Sequence, residues 1–347
     1  MREFWAENFP DKALLESVVS LSLLTQKSFI LNDPKQALDL FDALESAGLA
    51  RVEKSAEKAQ FHPSTPPSEL AIHLPRTWTL GELMGILTVP MAAGVLPSRV
   101  QMVGVTHMAG RTGVSHIAEG LLPMLDRRGT RSYVETRKWG TQGEALLEVR
   151  PPLAAFRPAN LRVSGDIVEV RALVTCHPRL SSQAESIEKA IEQRLHDGGL
   201  LFPEAESHEE QTWDDECQVL IRVEHGNIRK LSETIALSGE MPEHTASRAM
   251  QDFQTISAHG DTLQAHWSMP LVVAALLSQG EPSVFPRLLP KWEGILSEIL
   301  QSFCPAARID TSKESISISP PLGGLSEFQG YEPFDICYPT QRANEEK

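Results

Sequence analysis

Cysteine is scarce in this chain and widely spread. Of 347 residues four are cysteine, Cys176, Cys217, Cys304 and Cys337, and no CxxC pair occurs among them. That spacing suggests neither a zinc ribbon nor a disulfide framework, so reduced thiols are the default. Long hydrophobic runs are missing as well. No apolar stretch reaches bilayer length without a charge, Pro or Gly, and residues 1–10 lack a basic-then-apolar leader. No membrane partner is expected, and a cytoplasmic location follows as the expectation. Positive charge is in deficit: 32 Lys and Arg against 46 Asp and Glu give a formal net charge of −14. Such a chain repels phosphate at long range, which argues against indiscriminate nucleic-acid binding and leaves DNA out as an expected partner. Clustered metal ligands are lacking too. His107 and His116 have no carboxylate beside them in sequence, and His196, His208 and His225 lie in or beside an acidic stretch and read as solvated. No metal site is expected.

What the chain does contain is a repeat. Three times an apolar, helix-like run leads into a β-rich run, at 14–31, 80–104 and 262–285. Each is followed by a more polar helix and further alternating strands, at 34–62, 114–149 and 290–318, through the amphipathic cores ALDLFDALESAGL, HIAEGLLPMLDRRG and WEGILSEILQSFC. Repetition at a fixed order matters because each unit buries its apolar face only against its neighbours. In the first core Leu38, Phe41, Leu44 and Leu49 fall near helical spacing, with Gly48 where a C-terminal cap belongs. In ESISISP, Ile316 and Ile318 alternate with serines and Pro320 ends the strand. The helices VVSLSLL, LMGILTVPMAAGVL and MPLVVAALL are apolar nearly all round, which places them buried between layers. Pro90 and Pro270 predict a kink or a late start in two of them.

The fold class predicted is α/β (α+β): three repeated βαβαββ units with a small α/β domain inserted before the third. The main domain takes 1–180 and 256–320, the insert 181–255, and 321–347 reads as an extended tail. Inside the insert a charged helix, SSQAESIEKAIEQRL, precedes an acidic, low-order stretch, PEAESHEEQTWDDE; a strand, CQVLIRVEHG, and a helix, HTASRAMQDFQTI, follow.

Several stretches carry a resemblance. LLESVVSLSLLTQKSFIL, LPSRVQMVGVT, SGDIVEVRALVTCHPRL and AHWSMPLVVAALLSQGE are similar to the first helix and strand, the second-unit strand, the strand entering the insert and the third apolar helix of the RNA 3′-terminal phosphate cyclase family. The resemblance covers most of 13–320. It implies a fold of three βαβαββ units with an insert, and an activity in which AMP moves from ATP to a histidine and then to an RNA 3′-phosphate, after which the 2′-hydroxyl closes a cyclic phosphodiester. ATP with Mg2+ is therefore implied only if that activity is retained. The motifs for it are altered: Ala13 stands where the family has Gln, Glu16 where it has Arg, and Trp292 near the position of its histidine. An indole nitrogen is not a nucleophile at neutral pH. His266 lies at the start of the third apolar helix and can serve as a substitute nucleophile or as a capping residue.

Two other segments are candidates for binding. In THMAGRTGVSH, Gly110, Arg111, Thr112 and Gly113 can place backbone N–H groups and a guanidinium around an anion, or form a plain turn capped at Ser115. In DRRGTRSYVETRKWG, Arg127, Arg128, Arg131, Arg137, Lys138, Tyr133 and Trp139 interleave basic and aromatic groups, which suits single-stranded RNA or merely a basic helix end. The sequence thus leads to a cyclase-like protein without adenylylation, binding an RNA 3′ end or a protein; the alternative is an active ATP-dependent cyclase or related nucleotidyl-transfer enzyme using substitute residues.

Overall fold

A computed structural model describes residues 2–5, 12–153, 156–161, 167–198, 204–209, 216–225, 229–237, 239–258, 269–286, 290–312 and 315–321. These residues form a mixed α/β fold with four sheets. The first takes β1 (Arg2–Trp5), β2 (Phe29–Asn32), β3 (Ala50–Lys54) and β4 (Lys58–Pro63) in the order β1-β2-β4-β3. Helix α1 (Lys12–Thr25) joins β1 to its parallel neighbour β2, and α2 (Leu38–Ser46) leads to the antiparallel pair β3 and β4. Gly48 ends α2 at φ 76°, its N–H donating to the Glu45 carbonyl while Leu49 N–H reaches Leu44. Two such bonds with a left-handed glycine make the helix stop that the sequence foretold.

The second sheet takes β5 (Leu70–His73), β6 (Arg99–Gly104), β7 (Arg131–Lys138) and β8 (Gly143–Arg150) in the order β5-β6-β8-β7. Again the first pair is parallel and the other two are antiparallel. Helix α3 (Leu80–Ala92) joins β5 to β6. The second connection is not the single amphipathic helix its sequence suggests: α4 (Val114–His116) passes through a π turn (Ile117–Leu121) into α5 (Leu122–Asp126). Pro123 has no N–H to offer the carbonyl of Glu119, and that carbonyl accepts from Arg229 Nη1 at 2.9 Å instead.

The third sheet runs β13-β15-β14, with α8 (Met269–Ala274) before β13 (Ser283–Pro286) and α9 (Pro290–Phe303) before β14 (Arg308–Thr311) and β15 (Ser315–Ser319). All its pairings are antiparallel. Residues 156–161 run parallel to β13, with bridges Phe156 to Ser278 and Asn160 to Val284. Helices α1, α3 and α8 pack on one another, and every residue of α3 is buried. Phe303 of α9 stacks on Phe4 at 6.1 Å and meets Phe29 edge-on at 6.3 Å, tying the third sheet's helix to the first sheet.

The fourth sheet has the order β10-β9-β11-β12, from β9 (Ile167–Cys176), β10 (Glu204–Glu209), β11 (Cys217–His225) and β12 (Arg229–Ile235). Its helices α6 (Ser181–Asp197) and α7 (Pro242–Ala258) cover one face and close a buried cluster separate from the main core. This lobe begins before Ser181, because β9 pairs with both β10 and β11. The acidic stretch read as low in order contains a strand: β10 runs parallel to β9, and Arg171 of β9 pairs with Glu206 at 2.5 Å. The tail at 322–347 and the acidic residues 210–215 lie outside the described residues.

Candidate functional site

The start of α3 gathers a set of polar groups. Thr79 caps the helix: its Oγ1 accepts from Glu82 N–H at 3.1 Å, and Glu82 Oε2 accepts from Thr79 N–H at 2.9 Å. This reciprocal box satisfies two otherwise orphaned donors. The Thr79 hydroxyl in turn donates to the Thr112 carbonyl. Residue 81 must be glycine, since a Cβ there would lie 2.3 Å from the Gly113 carbonyl oxygen. The 107–113 turn is thereby pressed onto the helix end.

Arg111 and Lys12 meet over one indole. The Arg111 guanidinium holds both carboxylate oxygens of Glu82, which is 3 % exposed, and donates to the Thr77 carbonyl at 2.9 Å. Its Cζ lies 5.7 Å from the centre of the Trp78 ring, and Lys12 Nζ lies 4.5 Å from the same ring. Burial lowers the Lys12 pKa, and the Arg111 charge lowers it further, against the opposing pull of Glu82, Glu16 and Asp39. Among the described residues Lys12 Nζ has the Thr77 carbonyl, at 3.3 Å, and the Trp78 face as partners. Among the described residues no carboxylate is in pairing contact with this cation, which stands at the start of α1 and beside the start of α3. Chemically it can hold an anionic or carbonyl oxygen.

The other residues of the turn are committed to internal contacts. Arg111 N–H donates to Met108 O at 3.0 Å, and Gly113 N–H donates to His116 Nδ1 at 3.1 Å. Gly110 is left-handed at φ 70° and exposed. The cap of the next helix is Gly113, so Ser115 is a helical residue, and its hydroxyl accepts from Gln218 Nε2 at 3.1 Å. The two flanking histidines both reach the lobe: His107 Nε2 lies 3.1 Å from Glu216 Oε2, and His116 Nδ1 lies 3.0 Å from Glu233 Oε2. The hydrogen bond from His107 holds the Glu216 carboxyl below its usual range, against the effect of burial. A second concave feature, a cavity of about 130 Å³ lined by Glu119, Arg171, Leu173, Glu206, Leu220 and Arg222, lies under the fourth sheet. Its guanidinium groups pair with Glu206, Glu119 and Glu169.

The basic and aromatic cluster is divided by the fold. Arg127 pairs with Glu224, Arg137 with Glu135 at 3.4 Å, and Lys138 with Glu144. Arg128 is buried, with Nη1 unpartnered, and burial pushes its pKa down to about 9. Trp139 packs against the core with its ring 6.1 Å from that of His107. Arg131 and Tyr133 are exposed on β7. His266 lies outside the described residues, and Trp292 falls within α9. Ala13 is fully buried, and Glu16 is 7 % exposed in the crevice formed with Ser17, Ser20, Gly85 and Pro270 among α1, α3 and α8. Sequence reasoning passed over Lys12, Trp78 and Glu82. A signal for the last was present, since Thr79 and Glu82 before an apolar run spell a capping box.

The chain matches no protein-family model and no curated protein.

Proposed function

We propose that the chain is a divergent relative of the RNA 3′-terminal phosphate cyclases, built from three βαβαββ units and an inserted lobe, that lacks adenylylation and works as a binding module. The observation that carries this reading is the shared strand order. Two sheets have the same order and the same pairing directions, and the third reproduces them once residues 156–161 are taken as its first strand. Altered chemistry supports the rest: Ala13 and Glu16, at the positions of the family's Gln and Arg, are buried among the apolar helices.

A protein is the partner that charge favours. Arg127, Arg137 and Lys138 carry acidic partners, Arg128 is buried, and the net charge is −14. Among the described residues, four of the six exposed large hydrophobic side chains, Ile167, Val168, Leu237 and Met241, belong to the lobe, which makes it the surface on which a protein would dock. The second reading, an RNA 3′ end, has one observation in its favour: Lys12 and Arg111 share the Trp78 ring beside the helix starts.

Incubation with ATP labelled in the α-phosphate tests the first part. No label should stay on the protein after denaturation, and covalent AMP would restore the active-enzyme alternative. RNAs that differ only in a 3′-phosphate or a 3′-hydroxyl test the partner. Equal, weak and salt-sensitive binding is expected; binding that requires the phosphate and is lost in Lys12→Ala would replace the protein reading with the RNA-end one.

A further inference from the structure

Two of the dispersed cysteines meet in the lobe. Cys176 ends β9, Cys217 opens β11, and the two are register partners across the antiparallel pair. Backbone bonds define the kind of pair. The Cys217 carbonyl accepts from Ala236 N–H at 2.7 Å, on the β12 side, whereas the carbonyl of Glu216 faces His177 N–H at 3.4 Å on the β9 side. A strand residue points its N–H and C=O the same way, so Cys217 turns its backbone away from Cys176. The pair is of the non-hydrogen-bonded type, in which Cα atoms stand about 4.5 Å apart and side chains approach most closely. That spacing lies inside the window of roughly 4.4–6.8 Å that a disulfide spans. Both side chains enter the same buried cluster under α6 and α7, each is 1 % exposed, and neither is in a disulfide.

We infer that Cys176 and Cys217 are a redox modification site, a cross-strand disulfide that closes with a small disulfide as oxidant and reopens with excess thiol. Oxidised glutathione balances the step. Both cysteine S–H bonds break, one S–S bond joins the strands, the oxidant's S–S bond breaks, and the two hydrogens leave on two glutathione thiols. Burial, with the neighbouring Cys176, pushes the Cys217 thiol up to about 12, so the exchange proceeds through brief openings of the strand ends and not from the closed sheet. The site sits where opening matters. Glu216, next in sequence, holds His107, and Gln218 holds Ser115, so the bond would fasten the end of the sheet that contacts the body.

The full chain treated with oxidised glutathione, alkylated under denaturing conditions and mapped by mass spectrometry should lose two of its four thiols. The Cys176 peptide should be joined to the Cys217 peptide. In the oxidised protein the His177 and Ala236 amides should exchange at least about tenfold more slowly, and dithiothreitol should reverse the change. Four titrating thiols after this treatment, or a link through Cys304 or Cys337 in place of this pair, overturns the inference. Cys217→Ala should yield no linked peptide and carry at most a mixed glutathione disulfide at Cys176; if it does not fold, the linked-peptide mass in the wild-type chain decides alone.

Discussion

The body and the lobe bury their helices in different ways. Helix α3 is buried along its whole length, whereas α6 buries a single stripe, Ala184, Ile187, Ile191 and Leu195, and exposes charges on its other side. The body's central helices α1, α3 and α8 pack on one another, so apolar burial is the main force that orders them. The lobe's helices cover one face of its sheet. The other face meets the body through Leu173, Leu220 and Leu231 together with polar pairs: His107 to Glu216, Ser115 to Gln218 and Arg222 to Glu119. Apolar contact tolerates small slides of one surface over another; paired donors and acceptors fix a position. The body is therefore the source of stability, and the contact between the two parts is the source of registration.

Truncating each core tests that division most severely. Leu87→Ala in α3 and Ile187→Ala in α6 each remove a fully buried side chain and should cost about 2–5 kcal/mol. The two losses should appear in different places. Denaturant unfolding of the whole chain should register the α3 variant, while the α6 variant should chiefly accelerate amide exchange in β9, β11 and β12. Equal exchange rates across all four sheets in both variants would mean that body and lobe unfold as one unit.

The same contrast explains what the sequence disclosed. Elements whose cause is local were readable: the Gly48 stop, the alternation in β15 and the all-apolar helices. Elements whose cause is distant were not. Strand β10 looked like an acidic loop because its order comes from parallel pairing with β9. The basic segment looked like one patch, yet the helix end at Arg128 turns inward while β7 sends alternate residues to opposite faces. Glu82 and Arg111 are joined only by the fold, as are Cys176 and Cys217. The candidate site was thus half visible: its turn was picked out from glycines, while the helix end it presses on was not.

Arg128 is an exception to the body's apolar rule, and removing it sharpens the comparison. Its folded pKa, about 9, lies well below the ordinary guanidinium value, so at neutral pH the group is charged in both states and the desolvation cost is fully present. This group's contribution to stability becomes more favourable as pH rises above about 9, where the unfolded chain still holds the proton and the folded one does not. Arg128→Met should therefore stabilise the protein at pH 7, by about 1–3 kcal/mol, read as a higher unfolding midpoint. It should leave RNA binding unchanged. A destabilised variant would mean that the guanidinium has a compensating partner in solution.

Glu240 supplies the smallest effect and the clearest sign. It accepts from Leu237 N–H at 2.9 Å and the Thr245 hydroxyl at 3.0 Å, and pairs with Arg248 at 2.7 Å, bracing the start of α7. The Arg248 hydrogen bond, aided by the other two donors, holds its pKa at about 2 against the ordinary 4.5. A carboxylate lowered in this way stabilises the fold fully above pH 4.5, and the contribution is lost as pH falls from there through about 2. Glu240→Gln should cost about 1–2 kcal/mol at pH 7, allowing for solvent screening of a surface pair. The difference in unfolding midpoint between variant and wild type should shrink as pH falls and vanish near pH 2. A difference that persists there would assign the role of Glu240 to its hydrogen-bond geometry and not to its charge.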